Sequence, residues 1–326
     1  MIKPVEMRTE LPMSLSHDVV STTTKVWETL VASKEGDLTR LKVLAAECPE
    51  LVYAQYNYTP PIHFAVREGH VAMVEYLLGQ GALDPSYITY PFKDSLIIVA
   101  EDRDYKEIVK MLRDYLAHPD RCKYKGDNGE IHYDRTTLQV KFQRAVSKEY
   151  LNKTEKILKE HPEFALDETY FWGEGIMLFA AKRNNRKLID LLMQYGAKVP
   201  SIIKWAQFYY FERLDAATYL IQKGMNPDTM SWHKVTLLHD MAAKGDLAKA
   251  ALLINAGADI NPVDEEYQST PLGMAARWGQ TEMVELLLKH GADPNLSGAS
   301  WSTPLSWANK KKHLVIVERL KHSGAV

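Results

Sequence analysis

The amino-acid sequence repeats itself toward its C-terminal end. Ser-Thr-Pro-Leu occurs at 269–272 and again at 302–305, and an alanine-containing apolar stretch follows each copy. The two copies are 33 residues apart, and a fixed period of this length is typical of chains in which similar units stack in one direction. Because each unit then packs only on its neighbours, the period predicts a stacked repeat protein rather than a globular enzyme domain.

The residues of one unit explain why it folds as a pair of helices. Thr270 can cap the first helix with its hydroxyl, and Pro271 suits the first helical position, where its missing N–H costs nothing. Two small alanines later in this helix allow a close approach of the next unit. Apolar residues over 283–287 follow helical spacing, and Gly291 can end the second helix in a left-handed conformation.

The unit from Thr270 to Asn295 resembles the ankyrin repeat, and other parts of the chain follow the same register. The resemblance implies an all-α ankyrin-repeat solenoid of stacked helix pairs, joined by β-hairpin-like loops, with about nine units including degenerate ones. It covers residues 25–326 as a single solenoid. The further segments in register are 33–51, 60–81, 95–112, 147–164, 175–197, 203–224, 236–259 and 303–326.

Two segments do not follow the repeat. Residues 1–24 are predicted to form an N-terminal tail, and the turn-rich residues 117–137 are predicted to form an irregular insertion, either a surface loop or an extended hairpin. The first 24 residues lack the basic start and apolar stretch of a signal peptide, and Cys48 and Cys122 are too few for a disulfide framework. We therefore expect a cytoplasmic monomer.

The resemblance implies that partners bind on the concave face, at two exposed positions before the glycine between the helices of each unit. Fourteen residues occupy these positions in seven units, and eight of them are basic, against fewer than two expected from 40 Lys and Arg in 326 residues. We expect a basic stripe with aromatic members that binds an acidic protein or peptide. Its candidate binding residues are Arg67, Arg103, Lys182, Arg183, Tyr210, Phe211, Lys244, Arg277, Trp278, Lys310 and Lys311.

Aromatic residues also recur at the loop tips before the helix starts. They are suited to contact partners because they offer a large rigid area at low entropy cost. The alternative is that they pack between adjacent loops. In the same way, the basic residues can instead reflect the preference of helix C-terminal ends for cations. The tip candidates are Trp172, Trp232, His233, Tyr267 and Trp301.

A second hypothesis is an enzyme or a receptor for a small anion, such as phosphate or an anionic sugar, in the central concave groove. Its catalytic candidates are Tyr210, His239 and Asp240. The resemblance, however, implies that His63 and His239 form structural hydrogen bonds between turns. Asp240 remains unusual because the corresponding residues of other units are apolar, and a buried carboxylate needs a partner.

The sequence offers no positive case for a reaction. It contains no glycine-rich phosphate loop, nucleophile elbow or metal-ligand spacing, so we expect no cofactor and no metal. A net charge of −2 and the lack of a nucleic-acid-binding module make nucleic acid an unfavoured partner. The chain also lacks the basic amphipathic helix of a membrane-surface protein.

Overall fold

The computed structural model describes residues 1–124 and 129–326. Their contacts divide the chain into two compact units, which we describe separately. The N-terminal unit is Glu6–Asp134, and the C-terminal unit comprises Met1–Val5 and Arg135–Val326. Both units are mainly helical.

Helix pairs build the N-terminal unit. The first helices of the pairs pack in succession, α1 on α3 and α3 on α5, and the second helices α4 and α6 also pack on each other. Leu41, Ile62, Val74 and Leu112 lie in one continuous apolar core that these helices share. The helices are α1 (Thr23–Glu35), α2 (Leu38–Glu47), α3 (Pro61–Glu68), α4 (Val71–Gly79), α5 (Leu96–Asp102) and α6 (Lys106–Leu116).

A small antiparallel sheet joins the start of this unit to its end. Its strands are β1 (Pro12–Ser14), β2 (Val20–Thr22) and β3 (Glu130–Ile131), in the order β2-β1-β3 among the described residues. Met13 lies opposite Ser21 on one side and Ile131 on the other. Two of these strands lie in the segment predicted as a tail, and β3 lies in the predicted insertion.

The sheet corrects two expectations. Residues 1–24 do not form a tail, because β1 and β2 hydrogen-bond to each other and α1 already begins at Thr23. Among the described residues of the predicted insertion 117–137, β3 pairs with β1 and not with a second strand of its own hairpin. The central part of the insertion, residues 125–128, lies outside the described residues.

Helix pairs also build the C-terminal unit. Its last three pairs pack in order, with α14 on α16 and α16 on α18. The pair around residues 203–224 has a first helix of only four residues. The helices are α7 (Thr137–Ser147), α8 (Leu151–Glu160), α9 (Tyr170–Gly173), α10 (Leu178–Lys182), α11 (Arg186–Gln194), α12 (Ala206–Tyr209), α13 (Leu214–Gln222), α14 (Leu237–Lys244), α15 (Leu247–Asn255), α16 (Pro271–Arg277), α17 (Thr281–Lys289), α18 (Pro304–Lys310) and α19 (Leu314–His322).

The helix starts follow the chemistry predicted from the repeat. The Thr270 hydroxyl accepts a hydrogen bond from the Gly273 amide at 3.2 Å, and Pro271 occupies the first position of α16. Thr303 caps α18 in the same way. Gly291, after α17, has a φ of +89°, a left-handed conformation that glycine adopts without strain. The capping and termination predictions are confirmed.

Hydrogen bonds between loops join successive helix pairs. The Nε2 atom of His239 lies 3.0 Å from the Ser269 carbonyl oxygen, and its Nδ1 atom lies 3.1 Å from the Thr236 amide nitrogen. Nε2 therefore donates and Nδ1 accepts, which fixes the tautomer. The Ser269 hydroxyl donates to the Ser302 carbonyl at 3.2 Å and accepts from the Trp307 indole at 3.1 Å. The structural role of His239 is confirmed.

Replacing the capping threonine should destabilise the protein measurably. Thr270 is fully buried, so Thr270→Ala leaves the Gly273 amide without its acceptor. We expect a loss of about 1 kcal/mol in the free energy of unfolding, measured by urea denaturation. Thr281→Ala is the control, because Thr281 is the first residue of α17 and its helix has no side-chain cap. An equal loss in both variants would contradict the cap.

The buried His239 should also make stability depend on pH. Burial lowers its pKa from the ordinary value of 6.5, with Asp264 opposing part of this shift. Below about pH 6.5 this histidine is therefore protonated in the unfolded chain but stays neutral in the folded chain. The free energy of unfolding consequently falls as the pH drops, by at most about 1.4 kcal/mol per pH unit. In His239→Asn this part of the slope should vanish, as urea denaturation at several pH values would show.

The pH experiment has an internal control. Thr270→Ala is also destabilised but keeps His239, so its stability should retain the pH slope of the unmodified protein. If His239→Asn and Thr270→Ala gave the same slope between pH 5 and 6.5, His239 would not be the titrating group.

Candidate binding surface

Basic residues lie at the C-terminal ends of alternate first helices, α10, α14 and α18, in the C-terminal unit. Arg183, Lys244 and Lys310 are exposed, and Lys182 and Lys311 are half-buried. Because α10, α12, α14, α16 and α18 pack in order, the ends of these helices follow one another along the unit. Helix ends of this kind favour cations, and here they place several of them in one series. We call this series the basic row, and it consists of Lys182, Arg183, Lys244, Lys310 and Lys311.

The first part of the basic row contacts aromatic rings. The Lys182 Nζ atom lies 3.4 Å from the centroid of the Phe208 ring and 5.3 Å from that of Tyr209. Phe208 is 44% exposed. Arg183 donates to the Ser147 carbonyl at 2.9 Å and lies 3.7 Å from a Glu149 oxygen. A cation against a half-exposed ring offers both charge and apolar area to a partner.

The sequence does not single out Phe208. The unit over residues 203–224 is short, so the register predicts Tyr210 and Phe211 at the exposed positions instead. In the structure both residues are fully buried. The aromatic residue that reaches solvent beside Lys182 comes from α12 itself, two residues before the predicted position.

Asp240 is explained by its partner in the basic row. Its carboxylate lies 2.6 Å from the Lys244 ammonium group, one helical turn later in α14. Burial raises the pKa of Asp240, and the Lys244 charge opposes that shift. The Lys244 side chain remains 57% exposed. Asp240 therefore pairs with the ammonium group of a basic-row residue, a role that its unusual position in the repeat did not indicate.

A buried arginine lies beneath the last part of the basic row. Arg277 is only 4% exposed. Its guanidinium carbon lies 4.4, 4.8 and 5.1 Å from the ring centroids of Tyr267, Trp278 and Trp307. The prediction that Arg277 is an exposed contact residue is wrong, because its planar cation fills the space between three aromatic rings.

Two lysines of the basic row lie near the same tryptophan. The Nζ atoms of Lys310 and Lys311 are each 5.9 Å from the centroid of Trp307, which is fully buried. Trp301 contacts Trp307 edge to face at 5.6 Å, and Tyr267 does so at 6.0 Å. Tyr267 and Trp301 thus pack on a residue of helix α18, and these contacts do not lie between adjacent loops.

Half of the predicted binding residues are buried. The prediction that these residues are exposed to a partner is therefore wrong. Trp232 packs against His233 at 4.0 Å, and His233 in turn bonds to Glu266. These side chains fill the spaces within and between repeats. The spacing of residues in the sequence does not show which side chains pack in this way. The buried set is Arg67, Arg103, Tyr210, Phe211, Trp232, His233, Tyr267 and Arg277.

The two buried arginines of the N-terminal unit also have internal partners. Arg67 lies 2.6 Å from a Glu68 oxygen, and its guanidinium carbon is 5.0 Å from the Phe64 centroid. Arg103 donates to the Val99 carbonyl at 3.0 Å. Burial lowers the pKa of His63, and the charges of both arginines lower it further. These arginines therefore act inside the unit.

Trp172 is the predicted tip residue that reaches solvent most fully, at 60% exposure. It lies in the four-residue turn α9, where Phe171 and Trp172 both have left-handed backbone, with φ of 52° and 60°. Arg135 fixes the preceding segment by donating to Asp167 at 2.9 Å. Phe171 packs edge to face on Phe179 at 4.9 Å. Trp172 is thus held on a well-packed turn and is not a member of the basic row.

The three catalytic candidates have structural partners. The Tyr210 hydroxyl donates to the Glu174 carbonyl, and burial raises its pKa far above the ordinary value. The Glu174 carboxylate accepts from the amides of Lys204 and Trp205, just before α12. His239 and Asp240 are bonded as described above. These bonds tie a short repeat and its neighbours together, and they leave the basic row as the candidate site.

Among the described residues, no helix combines the length and apolar character needed to cross a bilayer.

Comparison with known proteins identifies the repeat. A family model for ankyrin repeats in three copies matches residues 238–326, and a model for a single ankyrin repeat matches residues 58–90. The chain is 40% identical over 83 residues to the ARF GTPase-activating protein Git of Drosophila melanogaster, and 37% identical over 83 residues to GIT1 of Homo sapiens. It is 38% identical over 95 residues to the palmitoyltransferase ZDHHC13 of Mus musculus.

These similarities cover only part of each protein. The matched segments make up 26% of this chain and 11% of Git and GIT1, and 29% of this chain and 15% of ZDHHC13. The matches to family models and relatives agree with the capped helix pairs of the structure. The chain therefore contains ankyrin repeats at residues 58–90 and 238–326.

Proposed function

We propose that this protein is a non-enzymatic recognition module that binds an acidic segment of a partner protein through the basic row. Ankyrin repeats generally mediate interactions between proteins. The observation that carries the proposal is the series of cations at the ends of α10, α14 and α18. Two of them, Lys310 and Lys311, lie near the aromatic cluster around Arg277. Charge-assisted contacts with carboxylates suit such a surface.

The local charges support an acidic partner. Helix C-terminal ends carry partial negative charge, which accounts for a preference for one cation at each end. The pairs Lys182–Arg183 and Lys310–Lys311 place two cations at one end, beyond that preference. A molecule with net charge −2 that gathers cations on one surface has a polarised charge distribution, which steers acidic partners to that surface.

We also propose that ankyrin repeats make up more of the chain than the segments that the family models match. The helix pairs α1–α2, α5–α6, α7–α8, α10–α11 and α12–α13 would be degenerate ankyrin repeats, which gives nine units with the four clearer ones. In α1–α2, α5–α6 and α7–α8 a side chain caps the first helix as Thr270 caps α16, which supports this for three of the pairs. We also propose a cytoplasmic monomer, and the two free cysteines, Cys48 and Cys122, are consistent with a reducing compartment.

The relatives support binding and not catalysis. Two of them are named as GTPase-activating proteins and one as a palmitoyltransferase, but this chain matches at most 15% of their lengths. Proteins with such different names each match part of this chain, so we propose that the shared property is recognition by the repeats.

Neutralising the basic row should weaken binding to an acidic peptide. The probe is a fluorescein-labelled peptide, Gly-Glu-Glu-Phe-Glu-Glu-Phe-Glu-Gly, called the acidic probe. For Lys182→Gln/Arg183→Gln/Lys310→Gln we expect the Kd to rise about tenfold, because each cation contributes up to about 1 kcal/mol. The salt dependence of Kd should also flatten, as fluorescence anisotropy at several ionic strengths would show.

The matched control removes the same charge elsewhere in the C-terminal unit. Lys187, Lys198 and Lys289 are exposed and lie on α11, in the loop after it and at the end of α17. Lys187→Gln/Lys198→Gln/Lys289→Gln should bind the acidic probe with less than a twofold change. Equal effects in both triple variants would show that only net charge matters, and would reject the basic row as the site.

A further inference from the structure

Trp278 occupies a position in its repeat that its neighbours fill with lysine. Counted from the capping residues Thr236, Thr270 and Thr303, the eighth residue is Lys244, Trp278 or Lys311. The three helices that these residues follow, α14, α16 and α18, pack in order. Equivalent positions in successive repeats lie side by side, so the indole of Trp278 stands between two lysine positions.

The structure leaves part of this indole accessible. Trp278 is 38% exposed, whereas the other two rings that surround Arg277 are buried. The Arg277 guanidinium carbon lies 4.8 Å from the Trp278 centroid and holds one part of the ring. A buried cation thus holds this large ring on one side, and part of the ring is accessible to solvent. Such a ring is suited to anchor a partner, because little entropy is lost when the partner covers it.

The charge on both sides of Trp278 specifies the partner. Lys244 is tied through Asp240 and still largely exposed, and Lys311 lies near Trp307. A partner side chain that stacks on the indole would be apolar, whereas its neighbours in sequence would meet ammonium groups. The complementary segment is therefore an aromatic residue with carboxylates on both sides.

We propose that Lys244, Trp278 and Lys311 form an anchor site, the Trp278 site, for an aromatic side chain flanked by acidic residues in the partner protein. This inference rests on the proposed function and adds the type of segment that is recognised. The stacked ring gives specificity for the partner residue, and the two lysines determine how its flanking residues align along the repeats.

The test pairs a change in the protein with a change in the peptide. Trp278→Gln removes the indole, and a second probe replaces both phenylalanines of the acidic probe with serine while keeping every glutamate. For Trp278→Gln we expect the Kd of the acidic probe to rise about tenfold, and that of the serine probe to change less than twofold. An equal loss for both probes would overturn the anchor, because the indole would then not contact the ring.

An exposed apolar residue of a second helix provides the control. Val315 is 60% exposed and lies on α19, so Val315→Gln should leave both Kd values within twofold of the unmodified protein. Thermal unfolding of each variant verifies the fold. Trp278→Leu keeps apolar area at this site and should recover part of the affinity for the acidic probe. Full loss in a folded Trp278→Leu would also count against stacking on an apolar surface.

The outcomes separate the anchor from the proposed function. If Trp278→Gln has no effect while neutralisation of Lys182, Arg183 and Lys310 weakens binding, the Trp278 site is wrong and the basic row stands. If neither change affects binding of the acidic probe, both proposals are wrong.

Discussion

The C-terminal unit depends on hydrogen bonds that pass from one repeat to the next at Ser269. Its carbonyl accepts from His239 of the preceding repeat, and its hydroxyl contacts Ser302 and Trp307 of the following one. Helices of seven to nine residues, such as α14 to α19, are too short to be stable alone. Each helix pair is therefore stable only on its neighbours, and the loop hydrogen bonds determine where the neighbours sit.

The same coupling places the surface residues in register. Once the capping threonines are aligned by these bonds, residues at equal distances from them occupy one series, which brings Lys244, Trp278 and Lys311 to adjacent positions. Arg277 supports that series from inside. A buried guanidinium requires compensation for its lost hydration, and three aromatic faces supply part of it while they hold the Trp278 indole in place.

The roles that residues have within their own helix were predictable from the sequence, whereas the burial of individual side chains was not. Thr270, Pro271 and Gly291 act through the backbone of their own helix, so their roles follow from their position alone. The burial of Arg277 and Tyr210 depends on residues far along the chain, and a period cannot reveal it. Phe208 was missed because the short repeat at 203–224 shifts the register. The strands β1 and β3 pair over more than a hundred residues and carry no repeat signal.

On the function proposed above, the stacked repeats present separate cations and Trp278 as one binding surface. A titration of the isotopically labelled protein with the acidic probe, followed by NMR chemical shifts of the backbone amides, tests it most directly. We expect the largest shifts to fall together at 182–183, 244, 277–278 and 310–311, with one common Kd. Shifts concentrated on the second helices α15, α17 and α19, or different Kd values for the separate segments, would contradict it.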